Sequence, residues 1–272
     1  MRMTFGSPGS IVFAIAVAGL GLLSLLTGHF ASVWQPVPQA LPWREYFAYA
    51  NGILMCAVGV GLLFPRSILP ASVILTFYLS IWLLFLHLPQ LIAAPLQEVS
   101  WAACAHNTEL IAGGWILLAL SGCFAESRSP LNYLSGIKGV RSARMLFAVS
   151  LPFLGLQHMV YLQAALTAVP VWLPYRLGWV YFTGAAHIAA GIAIGFAVYP
   201  RLAATLEAIM MGSFTVLFWL PAVIVTPRDR FQWTGLLISS AMTAAAWIAA
   251  ESYRGVPGPN RGLNRKPLRS IA

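Results

Sequence analysis

Residues 37–64 read VPQALPWREYFAYANGILMCAVGVGLLF, and residues 169–196 read VPVWLPYRLGWVYFTGAAHIAAGIAIGF. The two stretches align without a gap, Val37 with Val169 at one end and Phe64 with Phe196 at the other. They share Val-Pro, Leu-Pro, an Arg, a Tyr, two glycines and a closing Phe. About ten of the 28 positions are identical. A repeat at fixed period decides an architecture before any single residue does, so the chain reads as two related halves.

What kind of halves follows from composition. Only 8% of residues are charged, against about a quarter in soluble domains, while 59% are hydrophobic and the mean hydropathy is +0.78. This is the composition of an integral membrane protein. A net charge of +9 would suggest nucleic acid in a soluble domain, but here Lys and Arg gather in loops and at the C-terminal end, as membrane topology requires. No nucleic-acid partner is assigned; the expected partners are membrane lipids and a protein in a membrane complex. Cys56 and Cys104 lie in apolar runs and Cys123 at the end of one, without a Cys-x-x-Cys pair, so the three read as small buried residues. The first apolar run lacks a small-residue cleavage site and reads as a retained helix.

A spanning helix needs about twenty mostly apolar residues. Eight runs meet that need: 10–30, 46–64, 69–88 and 101–124, then 145–166, 177–199, 202–225 and 233–252. The expected fold is all-α, with eight transmembrane helices as two tandem four-helix bundles. The units are residues 1–125, a basic linker 126–144, a second unit 145–252 and a basic tail 253–272, whose Arg261, Arg265, Lys266 and Arg269 suit anionic lipid or solvent. Twelve of the 16 basic residues fall on the side of the Arg66 and Arg201 turns, the linker and the tail, against Arg44, Arg176, Arg228 and Arg230 on the other. The positive-inside rule then puts both termini in the cytoplasm of a bacterial-type inner membrane, with the Trp- and Pro-rich loops outside. An even number of spans per half gives the halves one orientation, a parallel duplication about an axis along the membrane normal.

Ionisable groups inside a bilayer are expensive and mark candidate sites by default. In the first half His29 closes the first span and His87 the third, and His106 and Glu109 stand three apart on one face of the fourth; the four are expected to converge. Two or three His with a carboxylate can bind zinc, copper or iron. Yet His106-x-x-Glu109 occurs once and inverts the Glu-x-x-His order of di-iron bundles. No metal is assigned, and His87, His106 and Glu109 are the residues one would use. A hydrogen-bonded interior pair, or a proton or quinone contact, is favoured. An isomerase-like pocket with Glu109 and His106 as acid and base is a further reading.

The second half carries Trp219, Ile238 and Ala241 at the positions of His87, His106 and Glu109. It offers instead His158 and Tyr161 on the fifth helix, and His187 where the first half has Met55. His187 can accept a proton or hydrogen-bond a quinone carbonyl, a lone membrane His more often bonds a neighbouring helix, and axial haem ligation by His158 or His187 is less favoured. Arg44 and Arg176 begin matching helices after Leu-Pro-x, where they anchor the interface or bind a headgroup. Gly52, Gly59, Gly184 and Gly191 are seven apart within each half, a stripe for close helix packing. Glu207 stands near Arg201 and is expected to snorkel to it. No phosphate loop, nucleophile elbow or His-Glu-x-x-His occurs, which argues against nucleotide-driven chemistry.

Gly-His or Gln-His closing the first helix, Val-Pro-x-x-Leu-Pro-x-Arg in the outer loop, the seven-spaced glycines and the Pro-Arg turn together resemble the DoxX-like membrane proteins. His158, Pro170, Pro174, Gly184, Gly191 and Arg201 carry the likeness most clearly. The chain looks like two such units fused. Some members of that family are subunits of membrane oxidoreductases working with sulfur compounds and quinones. The resemblance implies a subunit of an oxidoreductase or electron-transfer complex, with quinone the cofactor class considered ahead of haem or metal. The alternative is a non-catalytic scaffold, assembly subunit or small-molecule carrier. No catalytic residue is carried over from the family.

Overall fold

The computed structural model describes residues 6–121 and 133–254. Cys123, Arg128 and the rest of the linker up to residue 132, and the tail from residue 255, lie outside the described residues. Among the described residues the chain is all-helical. The long helices are α1 (Pro8–Thr27), α2 (Arg44–Leu62), α3 (Ile68–Ala93), α4 (Glu98–Leu120), α5 (Gly136–Val160), α6 (Arg176–Gly195), α7 (Pro200–Val225) and α8 (Arg230–Ser252). Seven are long and apolar enough to cross a membrane. The exception is α4, which has the length, 23 residues, but carries His106, Asn107, Thr108 and Glu109 in its middle. Packing against α3, α5 and α8 shields that polar middle, so the helix does not need a uniformly apolar surface.

Three of the four pairs of helix starts recur at one constant offset, the same that relates Val37 to Val169. Arg44 and Arg176 open α2 and α6, Ile68 and Pro200 open α3 and α7, and Glu98 and Arg230 open α4 and α8. Each of α2 and α6 is preceded by an aromatic residue in the left-handed region, Trp43 at φ 60° and Tyr175 at φ 55°. The sequence predicts an end for α3 at His87-Leu88-Pro89, yet the helix runs on to Ala93, because Leu83–His87 forms a π turn just ahead of Pro89. A proline inside an α-helix removes one backbone bond and clashes with the preceding turn; widening that turn by one residue relieves the conflict. Thr215–Trp219 does the same before Pro221 in α7. Helix α5 begins at Gly136 and not at 145, so it takes in Lys138, Arg141 and Arg144, which the sequence reading gives to the linker. Arg144 hydrogen-bonds Ser252 at the end of α8 through its Nε at 2.8 Å and stacks 3.6 Å over the Tyr253 ring.

The helices do not close as two separate bundles. Neighbours run α1–α2–α3–α4–α5–α6–α7–α8 and back to α1, and α4 meets α8 across the middle. The first helix of each half therefore packs against the last helix of the other half. Gly113 and Ala245 permit the α4–α8 approach: a methyl on Gly113 would lie 2.9 Å from the Ala245 Cβ. The seven-spaced glycines line the α1–α2 and α5–α6 seams. A Cβ at Gly59 would stand 2.4 Å from the Ala18 nitrogen, and one at Gly191 would stand 2.7 Å from the Ala148 carbonyl.

These distances set a test. Gly59→Val forces backbone apart and is expected to destabilise by about 2–3 kcal/mol, read as a lower midpoint in thermal unfolding of detergent-solubilised protein. Gly178→Ala, whose new methyl meets only the Tyr175 Cβ at 3.9 Å, should leave the midpoint within about a degree of the parent, since surface changes of this kind stay within about 0.5 kcal/mol.

Candidate functional site

The polar residues singled out from the sequence gather differently from the expected grouping by halves. A cavity of about 110 Å³ is lined by His106 from α4, His158 from α5 and His187 from α6, with Trp34, Phe214 and Trp219 among its aromatic walls. That is several times the about 10–15 Å³ that one water occupies by this measure. The site thus draws on both halves. The His158 and His187 rings meet edge to face at 5.2 Å between centroids.

Each imidazole is held at Nδ1 by a different group. The Trp34 indole N–H donates to His106 Nδ1 at 2.9 Å, and the two rings stack at 5.6 Å with an interplanar angle of 28°. Val33, just before Trp34, sits at φ 67°, a left-handed conformation that is an outlier for a β-branched residue; the strain lies in the loop that delivers Trp34 to the cavity. His158 Nδ1 is 3.0 Å from Thr183 Oγ1, whose own proton has the Trp179 carbonyl within reach at 2.9 Å. His187 Nδ1 lies 2.6 Å from Glu207 Oε1 of α7, both residues being almost wholly buried. The contact is close, but neither atom makes an aligned hydrogen bond.

Glu207 is the residue that sequence reasoning places wrongly. Its expected position is the cytoplasmic edge beside Arg201, but it stands 1% exposed in the interior against His187. The signal is its spacing: Glu207, Met211 and Phe214 are four and three apart on one face of α7, and the last two line the cavity.

The first-half set does not converge. His29 is exposed at the end of α1. His87, the last residue of its π turn, is 1% exposed with no partner for either ring nitrogen. Glu109 is fully buried without a hydrogen bond to either carboxylate oxygen. His106 faces the cavity, so the acid–base pair with Glu109 does not form. Tyr161 points away, donating to the Leu96 carbonyl at 2.8 Å. Arg176 spends its guanidinium on the Val169 and Leu166 carbonyls at 3.1 and 2.5 Å, and Arg44 lies over the Phe30 ring at 5.4 Å. Among the described residues no group of three His, Cys, Asp or Glu is placed to hold a metal ion.

The first half has a smaller counterpart, a cavity of about 30 Å³ lined by Gln35, Asn51 and Asn107. Its groups are neutral and bonded to one another: Gln35 Nε2 donates to Asn51 Oδ1 at 2.9 Å, as does Tyr78, and Asn107 donates to the Leu79 carbonyl at 3.0 Å. Trp34 and Ile238 belong to the walls of both cavities. No family profile, characterised protein or solved structure matches this chain.

In the gap-free alignment of the halves, His187 and Glu207 fall opposite Met55 and Leu75, an apolar pair at the corresponding places. Removing one member of a buried ionisable pair costs about 3–5 kcal/mol, whereas replacing both by apolar residues is often neutral. His187→Met and Glu207→Leu are each expected to lower the unfolding midpoint, and the double variant is expected to recover most of the loss in the same measurement.

Proposed function

We propose that the protein is an integral subunit of a membrane oxidoreductase or electron-transfer complex, and that the cavity between α4, α5 and α6 receives a quinone-type headgroup. The arrangement of His106, His158 and His187, each anchored at Nδ1 and backed in one case by Glu207, supports this reading. Imidazoles held in this way present fixed hydrogen-bonding groups to a carbonyl or hydroxyl, and an interior His–carboxylate pair is the usual means of moving a proton within a bilayer. The aromatic walls at Trp34, Phe214 and Trp219 suit a flat ring.

The constant offset between the helix starts of the two halves favours a parallel duplication of a four-helix unit of DoxX-like type. With α4 counted as a span, the chain crosses a bacterial-type inner membrane eight times, and both termini lie in the cytoplasm. A non-catalytic scaffold is the second reading. It is favoured by Arg176, whose hydrogen bonds go to backbone carbonyls of its own half, the role of a helix-entry anchor.

Protein purified gently in native lipid is expected to carry a stoichiometric quinone-class lipid, detected by mass spectrometry of the lipid extract, and to lose it on His187→Ala. Phospholipid alone in the parent extract, together with a tightly bound partner chain, would sink the redox reading in favour of the scaffold.

A further inference from the structure

The three imidazoles of the cavity are not equivalent, because their Nδ1 partners decide which proton each ring keeps. An indole nitrogen can only donate. His106 Nδ1, accepting from Trp34 at 2.9 Å, is therefore unprotonated, and the ring's proton sits on Nε2. The Thr183 hydroxyl has a single proton, with the Trp179 and Val180 carbonyls of its own helix within reach at 2.9 and 3.2 Å. Donated to either carbonyl, it leaves the oxygen to accept from His158 Nδ1 at 3.0 Å, and a lone pair then stays on His158 Nε2. In each of these rings Nε2 is the nitrogen without a partner among the described residues. The cavity wall thus holds one fixed donor, on α4, and one fixed acceptor, on α5.

His187 is the variable member. When the pair holds one proton, on Nδ1 against the Glu207 anion, His187 Nε2 is an acceptor; when it holds two, Nε2–H is a donor wherever the shared proton lies. Neither state changes the two fixed groups. A ligand that fits must accept from His106 and donate to His158, and it must be flat enough to lie among Trp34, Phe214 and Trp219. Trp219 has no freedom to retreat, since its ring lies within 2.0–2.3 Å of where a Gly235 Cβ would be.

We propose that the cavity selects a hydroxyl-bearing aromatic ring, a phenol or hydroquinone, over the corresponding quinone, with Trp34 and Thr183 as the positioning residues that set this choice. The proposal rests on the reading of the cavity as a headgroup site. A ring hydroxyl both accepts and donates and satisfies the two fixed groups. A quinone carbonyl offers only lone pairs and leaves the acceptor on His158 facing another acceptor in a buried site. An unmet polar group of this kind is worth about tenfold or more in affinity.

The test is anaerobic titration of the purified full-length protein with a short-chain benzohydroquinone and with its benzoquinone, followed by calorimetry. The hydroquinone is expected to bind at least about tenfold more tightly. Thr183→Val and Trp34→Phe, which free His158 and His106 to take the other tautomer, are expected to shrink that ratio toward one. The ratio reports tautomer control in a way that a general loosening of the fold would not. Equal or tighter binding of the quinone, or an unchanged ratio in both variants, overturns the donor–acceptor assignment and leaves the headgroup site standing. Failure of both compounds to bind overturns the headgroup site as well.

Discussion

The approach of α4 to α8 is the constraint on which the interior depends. Each helix is the last of its half, and they meet through Gly113 and Ala245, where a methyl on Gly113 would stand 2.9 Å from the Ala245 Cβ. A bilayer offers no hydrogen bonds to groups that face it, so a helix with His106, Asn107, Thr108 and Glu109 in its middle has to be enclosed by other helices. The exchange of neighbours, α4 against α5 and α8 against α1, supplies that enclosure. Polar ties between the halves hold it at the helix ends, where Arg230 Nη1 donates to the Phe30 carbonyl at 2.6 Å and Gln157 bonds Glu98; Arg144 bonds Ser252 within the second half.

Within that enclosure the two halves differ in chemistry while their helices begin at corresponding places. One side has a small cavity in which Gln35 and Asn51 bond each other and Asn107 bonds the Leu79 carbonyl. The other has a larger cavity whose imidazoles each keep one nitrogen unpaired. His106 belongs to the larger cavity, and Ile238, which aligns with it in the second half, belongs to both. A His at the first position and an Ile at the second make the wall polar toward one cavity and apolar toward the other. Trp34 closes the gap between them. Its strained predecessor, Val33, fits the common finding that backbone strain collects where a side chain has to be held for function.

Most of the scaffold was legible in the sequence. Apolar runs marked the helices within a few residues except at α5, whose start lay nine residues earlier at Gly136, and the glycine spacing marked the α1–α2 and α5–α6 seams, because both depend on local pattern. Two features were not legible. Pro89 read as a helix end, because a π turn that absorbs a proline leaves no mark in composition, while the matching span 202–225 was read through Pro221 without its π turn. The pairing of helices across halves was hidden for a different reason: hydropathy records which segments avoid water and says nothing about which neighbours they choose. That second blindness scattered the site. His106, His158 and His187 all stand out in the sequence, but there they sort by half, and Glu207 reads as the partner of the nearest cation in sequence and not of the imidazole that the fold brings to it.

The pair formed by His187 and Glu207 is hard to explain as a stabilising device. Taking two ionisable groups out of water costs more than their attraction commonly returns, and the chain itself holds an apolar alternative at the corresponding places, Met55 and Leu75, both nearly fully buried. The scaffold accommodates that alternative with matching helix starts and matching glycine seams, so nothing in the packing calls for a charge at residue 207. A costly polar pair beside a cavity, where an apolar pair also fits, is explained by what the cavity holds. The Nδ1 anchors at Trp34 and Thr183 point the same way, since both orient a ring nitrogen toward open space and neither adds a contact that the core lacks.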